Sequence, residues 1–353
     1  MSRKLIISLM LGAAISTGGL YLAFKNIPFA ELWGYLVTIN YFWLLPAAAM
    51  VMLSFILRVL RWQIILGSAR KVAFWPAFHP LMIAFMINTI LPGRVGELAR
   101  PAILQKNQGI RYSTGLATVA AERALDIIVI ITLFFVVMNM VRIDPSVSIA
   151  FGDYQLNRET LETIAGGLAR LSLVLIVGMV MVSVNASRNW INKLIMKAPS
   201  LLFFLGKDLQ NVIIEKISAR VVGLMDNFAS GFAMIKSPGK MTLSLVLSIL
   251  IWLLGVLSYA VFALGCPGIG IDLVEMAAVM VIVCIFIALP SVPGYWGLWE
   301  AGGIFALTLF GVSGREAAGF TLANHAIQMI PVMIIGAISA WITGVNIWRT
   351  SFT

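Results

Sequence analysis

The sequence predicts an all-α polytopic membrane protein with two inverted repeats, each containing a re-entrant helical hairpin. Three observations predict it. Of its 353 residues, 60% are hydrophobic and 11% are charged, where a soluble domain carries about 25% charged residues. The chain also says nearly the same thing twice, L-P-G-R-V-G-E at 91–97 and V-P-G-Y-W-G-L-W-E at 292–300. Finally, its basic residues collect in particular loops, as the positive-inside rule requires of cytoplasmic connections.

The elements follow in order. Residues 5–24, after Arg3 and Lys4, are apolar for about a full bilayer crossing. They lack a clear small-residue cleavage site, so they read as an uncleaved first helix rather than a signal peptide. A second span at 41–66 ends in Arg58, Arg61 and Trp62. Residues 78–91 are apolar but reach only roughly 21 Å as a helix, short of the roughly 30 Å hydrocarbon core. With the break at 92–96 and a return through Leu98–Leu104, the segment 78–105 reads as a re-entrant hairpin. A span at 114–141, a polar loop at 142–165 and a span at 168–185 follow.

The linker 186–240 is the most basic stretch, with Arg188, Lys193, Lys197, Lys207, Lys216, Arg220, Lys236 and Lys240. Inside it, Leu209, Ile213, Ile217, Val221, Leu224, Phe228 and Phe232 repeat at helical spacing. Such an amphipathic helix either lies along the membrane surface or packs on the end of its own bundle. The second half repeats the layout of the first: span 241–264, hairpin 273–311 and span 317–347. Repeat one is therefore 41–141 and repeat two 241–347, within one integral membrane domain covering 1–353. Counting 78–105 as a single crossing would carry the basic linker to the outside, against the charge rule. The hairpin reading keeps both termini cytoplasmic.

The composition excludes several classes. The net charge of +10 sits in short loops between apolar runs, which argues against nucleic acid as a partner. Two cysteines and two histidines give no disulfide framework and no metal-ligand spacing. No hydrolase or kinase motif is present, and Gly93-x-x-Gly96 lacks the βαβ context of nucleotide binding. No cofactor is expected.

The chemistry lies in the two breaks and in charges inside spans. Pro92, Gly93 and Gly96 form the first tip; Pro290, Pro293, Gly294 and Gly297 form the second. Broken backbone at membrane depth is tolerated where it is buried in protein or lines a polar cavity. Paired Gly/Pro interruptions in two halves point to a transport site between them. Glu122 and Asp126 share a helical face, as do Arg58 and Arg61. Asn88, Arg94, Glu97 and Arg100 surround the first break, Arg123 adjoins Glu122, and Glu300 ends the second motif. Intramembrane charges are costly and mark function. An ion-pair network that merely holds the bundle together competes with a phosphate site supplied by surplus arginine, the side chain suited to bidentate phosphate binding. His325 reads as a satisfied core histidine, with a proton relay as the alternative. Tyr295, Trp296 and Trp299 read as interfacial anchors.

Four segments in order, R-V-L-R-W (58–62), N-T-I-L-P-G-R-V-G-E-L-A-R (88–100), E-R-A-L-D (122–126) and P-S-V-P-G-Y-W-G-L-W-E (290–300), resemble the membrane domain of lysylphosphatidylglycerol synthases. The resemblance covers nearly the whole chain. In two-part members this domain moves aminoacylated phospholipid across the membrane, and a soluble domain makes that lipid. The chain departs from them in having no polar stretch long enough for a synthase. It also carries Tyr295 and Trp296 where small glycine-type residues are more usual in the family. The resemblance implies a lipid flippase of a bacterial inner membrane. Its partners would be anionic or aminoacylated phospholipids, or a polyprenyl-phosphate-type lipid. Arg58, Arg61, Arg94 and Arg100 would bind the phosphate. Glu97, Glu122, Asp126 and Glu300 would orient those arginines or meet a cationic headgroup. An ion-coupled transporter of a small anion, and a membrane-embedded lipid-modifying enzyme or its accessory subunit, remain as alternatives. The oligomeric state is open, with a homodimer among the choices.

Overall fold

The computed structural model describes residues 14, 16–21, 23–25, 27–91, 94–141, 149–151, 154–156, 158–201, 213–231, 237–289 and 293–345. Pro92, Gly93 and Pro290 of the predicted tips lie outside the described residues. So do most of the predicted span 5–24, parts of the loop 142–165, and Leu209 and Phe232 of the predicted amphipathic helix.

Local signals set most of the helix ends. Helix α1 (Phe29–Thr38) starts after Pro28. A turn at Tyr41–Trp43, held by the Asn40 side chain, leads into α2 (Leu44–Leu66). Helix α3 (Phe74–Ile90) is followed by α4 (Gly96–Gln108), which stops at Gly109 with φ 65°. The left-handed region is open to glycine, so Gly109 can close the helix there. Helix α5 (Tyr112–Met140) is next. A small antiparallel pair, Ile149–Phe151 with Tyr154–Leu156, precedes α6 (Arg158–Ser183) and α7 (Asn185–Lys197). One π-helical turn, Ile213–Ser218, runs into α8 (Ala219–Gly231). Helix α9 (Pro238–Ala263) begins on a proline, whose missing N–H costs nothing at that position. A capping box of Asp272 and Glu275 starts α10 (Leu273–Ile287). After a turn at Pro293–Tyr295 come α11 (Leu298–Leu309) and α12 (Gly314–Thr343).

Among the described residues, five helices are long and apolar enough to cross a membrane: Tyr41–Leu66, Tyr112–Met140, Glu162–Ser183, Pro238–Ala263 and Gly314–Thr343. Helices α3 and α10 are apolar but have only 17 and 15 residues. At 1.5 Å per residue they reach roughly 25 and 22 Å. The fold is therefore all-helical and polytopic, apart from the small strand pair. The structure differs from expectation at several places, helix α7 in the basic linker among them. Helix α1 was not anticipated, the polar loop is shortened because helix resumes at Arg158, and the strand pair lies inside that loop. The basic amphipathic segment touches the bundle at one end, while Ile217, Val221 and Leu224 of its apolar stripe stay exposed. Phe228 of α8 joins Ile65, Ala117, Ala121 and Leu125, and Arg188 Nε lies 3.1 Å from the Asp226 carboxylate.

Packing crosses the two halves. Helix α2 lies along α9, α3 pairs with α4, and α10 pairs with α11. Helix α12 packs on α3 of the first half, and α5 packs on α10 of the second. Trp62, Leu81, Phe262, Met280 and Phe320 fill the core. At one end of the bundle, Arg70 donates to the Gln108 carbonyl at 2.5 Å, joining the entrance of α3 to the exit of α4. Lys240 reaches the Gly67 carbonyl there, at 3.3 Å. At the other end, Asn40 N–H donates to the Gly265 carbonyl at 2.8 Å. Beside it, the Glu316 carboxylate lies against Gly268, joining the entrance of α10 to the start of α12.

The crossing of α12 over α3 depends on Gly336. A Cβ there would stand 2.8 Å from the Met82 carbonyl oxygen and would also collide with Met86. Overpacking of this kind costs about 1–3 kcal/mol. Gly178 in α6 has nothing within 4 Å of the same position, and alanine there gains helix propensity. Gly336→Ala is expected to lower the thermal unfolding midpoint in detergent, and Gly178→Ala to leave it unchanged or raise it. Equal midpoints for the two variants would show that the α12–α3 contact is not tight.

Candidate functional site

Four helices bring a charged cluster into the bundle interior. Helical spacing puts Arg58 and Arg61 on one face of α2, Glu97 and Arg100 on one face of α4, and Glu122, Arg123 and Asp126 together on α5. Arg61 is fully buried. Its Nη1 donates to Asp126 Oδ1 at 2.6 Å and to Ser248 Oγ at 2.7 Å. Its Nη2 reaches Asp126 Oδ2 at 3.3 Å and Glu122 Oε1 at 3.4 Å. Arg100 donates to the other oxygen of Glu122. The Arg100 guanidinium also lies 3.5 Å from the centroid of the Trp62 ring, and Trp62 Nε1 donates to Thr118 at 3.0 Å.

Two arginines stand nearer the edge of the cluster. Arg58, with 14% of its side chain exposed, lies 3.7 Å from Asp126. Its guanidinium faces the rings of Phe55, Phe85 and Trp252 at 5.8, 5.7 and 5.6 Å. Arg123, with 30% exposed, lies 3.2 Å from Asp126 and 3.7 Å from Glu97. Trp252 Nε1 donates to Asp126 Oδ1 at 3.3 Å. Four guanidiniums (Arg58, Arg61, Arg100, Arg123) thus meet three carboxylates (Glu97, Glu122, Asp126). Nε and Nη2 of Arg100, and Nε of Arg58, Arg61 and Arg123, are buried without a hydrogen-bond partner in the protein. Burying charge is costly unless it is paired and hydrogen-bonded.

The two breaks meet each other. Arg94 donates to the Ile287 carbonyl at 3.1 Å, in the last turn of α10, and its guanidinium lies 5.6 Å from the Tyr295 ring centroid. Both Arg94 and Tyr295 have positive φ, 54° and 61°, a strained conformation for residues with a Cβ. Asn88 accepts from Gly96 N–H at 2.8 Å and so closes the first turn of α4. At Gly96 a Cβ would collide with the Ala84 carbonyl.

The structure brings Arg58, Arg61, Glu97, Arg100, Glu122, Arg123 and Asp126 together. Three predicted residues fall elsewhere. Asn88 spends its amide oxygen on Gly96 and belongs to the break. Arg94 reaches the second half instead of the cluster. Glu300 pairs with no arginine; its partners are His325 and Gly297 N–H. Of the aromatic trio, Trp299 is buried rather than at an interface. Trp299 stacks on His325 with parallel rings 4.6 Å apart, and Trp296 contacts the same ring. Trp299 is buried against the histidine, whereas Trp296 stays 42% exposed and Tyr295 lies under Arg94. Sequence reasoning missed Ser248, Trp252 and Phe85, which carry no charge and sit in apolar helices. Their only sequence signal was that a polar or aromatic group must face the buried arginines. Among the described residues, no group of three or more His, Cys, Asp or Glu could hold a metal ion.

With this geometry in place, comparisons with known proteins fix the family. Residues 9–336 match the family described as the lysylphosphatidylglycerol synthase TM region. The chain is also similar to glycosyltransferase AglD of Haloferax volcanii, 24% identical over 320 residues. That match covers 84% of this chain and 48% of the relative, so the chain spans about half of that protein's length. No solved structure matches. Five crossing-length apolar helices and nearly full-length agreement with a membrane-lipid family have one conclusion: this multi-pass membrane protein belongs to the lysylphosphatidylglycerol synthase transmembrane-region family.

Proposed function

We propose that the protein transfers a phosphate-bearing lipid headgroup across a bacterial inner membrane. One observation carries the reading: the interior cluster holds four guanidiniums against three carboxylates, with Arg100 Nη2 buried and unpartnered. A purely structural network would balance its charge, because each uncompensated ion in an apolar bundle is expensive. An anionic phosphate supplies the missing charge, and its oxygens match the planar fork of arginine. Arg58 and Arg123, the two more exposed arginines, would meet the phosphate first. Arg61 and Arg100 would hold the carboxylates in place. Similarity to the glycosyltransferase AglD supports a second cargo of the same chemistry, a sugar-bearing phosphate lipid. A lipid-modifying enzyme or its accessory subunit is the competing class. It would need an acid or a nucleophile at the cluster, where every carboxylate is paired with arginine.

The same reading takes α3–α4 and α10–α11 as re-entrant hairpins of inverted repeats, 41–141 and 241–347. The Arg70–Gln108 bond and the Glu316–Gly268 contact support it, since each unit enters and leaves at one end of the bundle. Placing the basic linker inside makes the Arg70 end cytoplasmic.

Two predictions follow from this arrangement. Single cysteines at Arg70 and Lys106 should both be labelled by an impermeant reagent from the cytoplasmic side, and a cysteine at Arg315 from the opposite side. Labelling of positions 70 and 106 from opposite faces would remove the hairpin. The second prediction concerns transport. In vesicles carrying fluorescent phosphatidylglycerol, Arg58→Gln and Arg123→Gln should each slow flipping about tenfold per folded molecule. That is the lower end of the effect of losing one charge-assisted hydrogen bond, worth about 1.5–3 kcal/mol. Their unfolding midpoints should stay near wild type, whereas Arg61→Gln should lower its midpoint sharply. Normal flipping by both edge variants would leave the cluster a structural network.

A further inference from the structure

Glu300 of α11 and His325 of α12 are both fully buried. His325 Nδ1 lies 2.5 Å from Glu300 Oε1, and Nε2 lies 2.8 Å from the Gly294 carbonyl oxygen. Glu300 Oε2 accepts from Gly297 N–H at 2.7 Å. The hydrogens can be counted from these partners. A carbonyl only accepts, so Nε2 carries a hydrogen. A neutral ring then leaves Nδ1 bare, and Glu300 must be protonated to bond it. Otherwise the ring is cationic and the carboxylate ionised. In both cases the pair shares one proton beyond those of a neutral ring and an ionised carboxylate. Without that proton, two lone pairs would face each other at hydrogen-bond distance.

The pair also holds the backbone of the second break. Its two outer contacts are the Gly294 carbonyl and the Gly297 N–H, at residues with φ 71° and 89°. The first half places a fixed charge at the matching position. E-R-A-L-D at 122–126 and N-H-A-I-Q at 324–328 each begin ten residues after the start of α5 or α12 (122 − 112 and 324 − 314). Glutamate and aspartate thus correspond to the amides Asn324 and Gln328, and Arg123 corresponds to His325. Glu97 pairs with Arg123, and Glu300 pairs with His325. The ion pair near the second break is the one whose charge a single proton can change.

We propose that Glu300 and His325 form a proton-binding site whose occupancy controls the second break and couples proton movement to lipid transfer. The coupling rests on the lipid-transfer reading; the proton site does not. Loss of the shared proton leaves a neutral ring whose one hydrogen bonds the Glu300 carboxylate from Nδ1, so the bare Nε2 repels the Gly294 carbonyl and frees Gly294, while Gly297 N–H stays on Glu300. The groups facing the pair from other elements would tune its proton. Trp296 and Trp299 lie on the His325 ring, and Tyr295 of the break carries the Arg94 guanidinium over its ring. From α3 the Thr89 carbonyl approaches Gly294, and from residues 16–21 the Ser16 carbonyl approaches Gly297. Among the described residues, Glu300 and His325 have no ion-pair partner except each other.

Infrared spectroscopy of the purified full chain tests the proton site, and reconstituted vesicles test the coupling. The wild type should show a protonated-carboxyl or imidazolium band that changes with pH and disappears in Glu300→Gln. Absence of such a band, or its persistence in Glu300→Gln, overturns the proposal. In vesicles with fluorescent phosphatidylglycerol, an imposed proton gradient should speed wild-type flipping severalfold. Glu300→Gln and His325→Gln can keep the bridging hydrogen bonds and should flip lipid without responding to the gradient. A wild-type-like response in either variant overturns the proposal. If neither variant folds, a pH-sensitive dye inside wild-type vesicles decides: flipping with no accompanying proton movement overturns it. Wild-type vesicles that flip no lipid refute the lipid reading, and the infrared band alone then judges the proton site.

Discussion

The interior contact of Arg61 with Asp126 and Glu122 is the constraint on which the rest of the structure depends. A guanidinium at 0% exposure in an apolar bundle has no water to fall back on, so its donors must find acceptors in the protein. Those acceptors sit on α5, with Ser248 of α9 as a further one. Arg100 shares Glu122 from α4. Four helices are thereby fixed in register by bonds that tolerate little sliding. Any shift of α5 along its axis would unpair several buried charges at once. Removing one partner of such a group costs far more than an exposed ion pair is worth.

If the two halves are repeats, they share a plan but not a charge. The first half keeps two carboxylates and an arginine on the middle of its last span. The second half carries two amides and a histidine at the corresponding places. Amides bond as neutral groups, so Gln328 is satisfied by Ser258 at 3.2 Å without calling for a cation. This divides the labour. On the proposed reading the charged half would attract and orient an anion, while the second half carries the buried Glu300–His325 pair. A symmetric pair of arginine clusters would hold two anions. On the same reading, one cluster opposite a neutral second half would hold one, and would leave the second break free to respond to something else.

Much of this was legible in the sequence, and what was not has physical reasons. Spans came from hydropathy and the breaks from Pro-Gly-x-x-Gly, because a bilayer punishes any other arrangement of backbone polar groups. Glu122 and Asp126 were placed on one face by helical spacing alone. Spacing cannot choose partners across helices, so it could not say that Arg61 takes both carboxylates, or that Glu300 takes His325 and no arginine. Tyr295, Trp296 and Trp299 looked like an interfacial belt because aromatic residues near a span end usually are one. Helix α1 escaped because its ten residues bury only Leu32 and Tyr35 while Phe29 and Trp33 stay exposed. That pattern is too short and too mixed to stand out beside spans of over twenty residues.

The breaks are coupled through backbone groups that neither half can satisfy alone. The last carbonyls of a helix lack partners within it and favour a cation. At α10 that role falls to Arg94, from the first break. Arg94 itself stands in the left-handed region, as does Tyr295 beneath its guanidinium. Strain of this kind persists only where surrounding contacts hold it. Each break therefore contributes to holding the other in a conformation it would not keep alone. If the second break relaxed, Tyr295 would move from under Arg94 and the α10 terminus would lose its cap. If Arg94 left, that terminus would be bare. A change that starts at Glu300 and His325 thus has a short physical route to the first break and to Glu97, three residues beyond Arg94, which pairs with Arg123 at the edge of the arginine cluster.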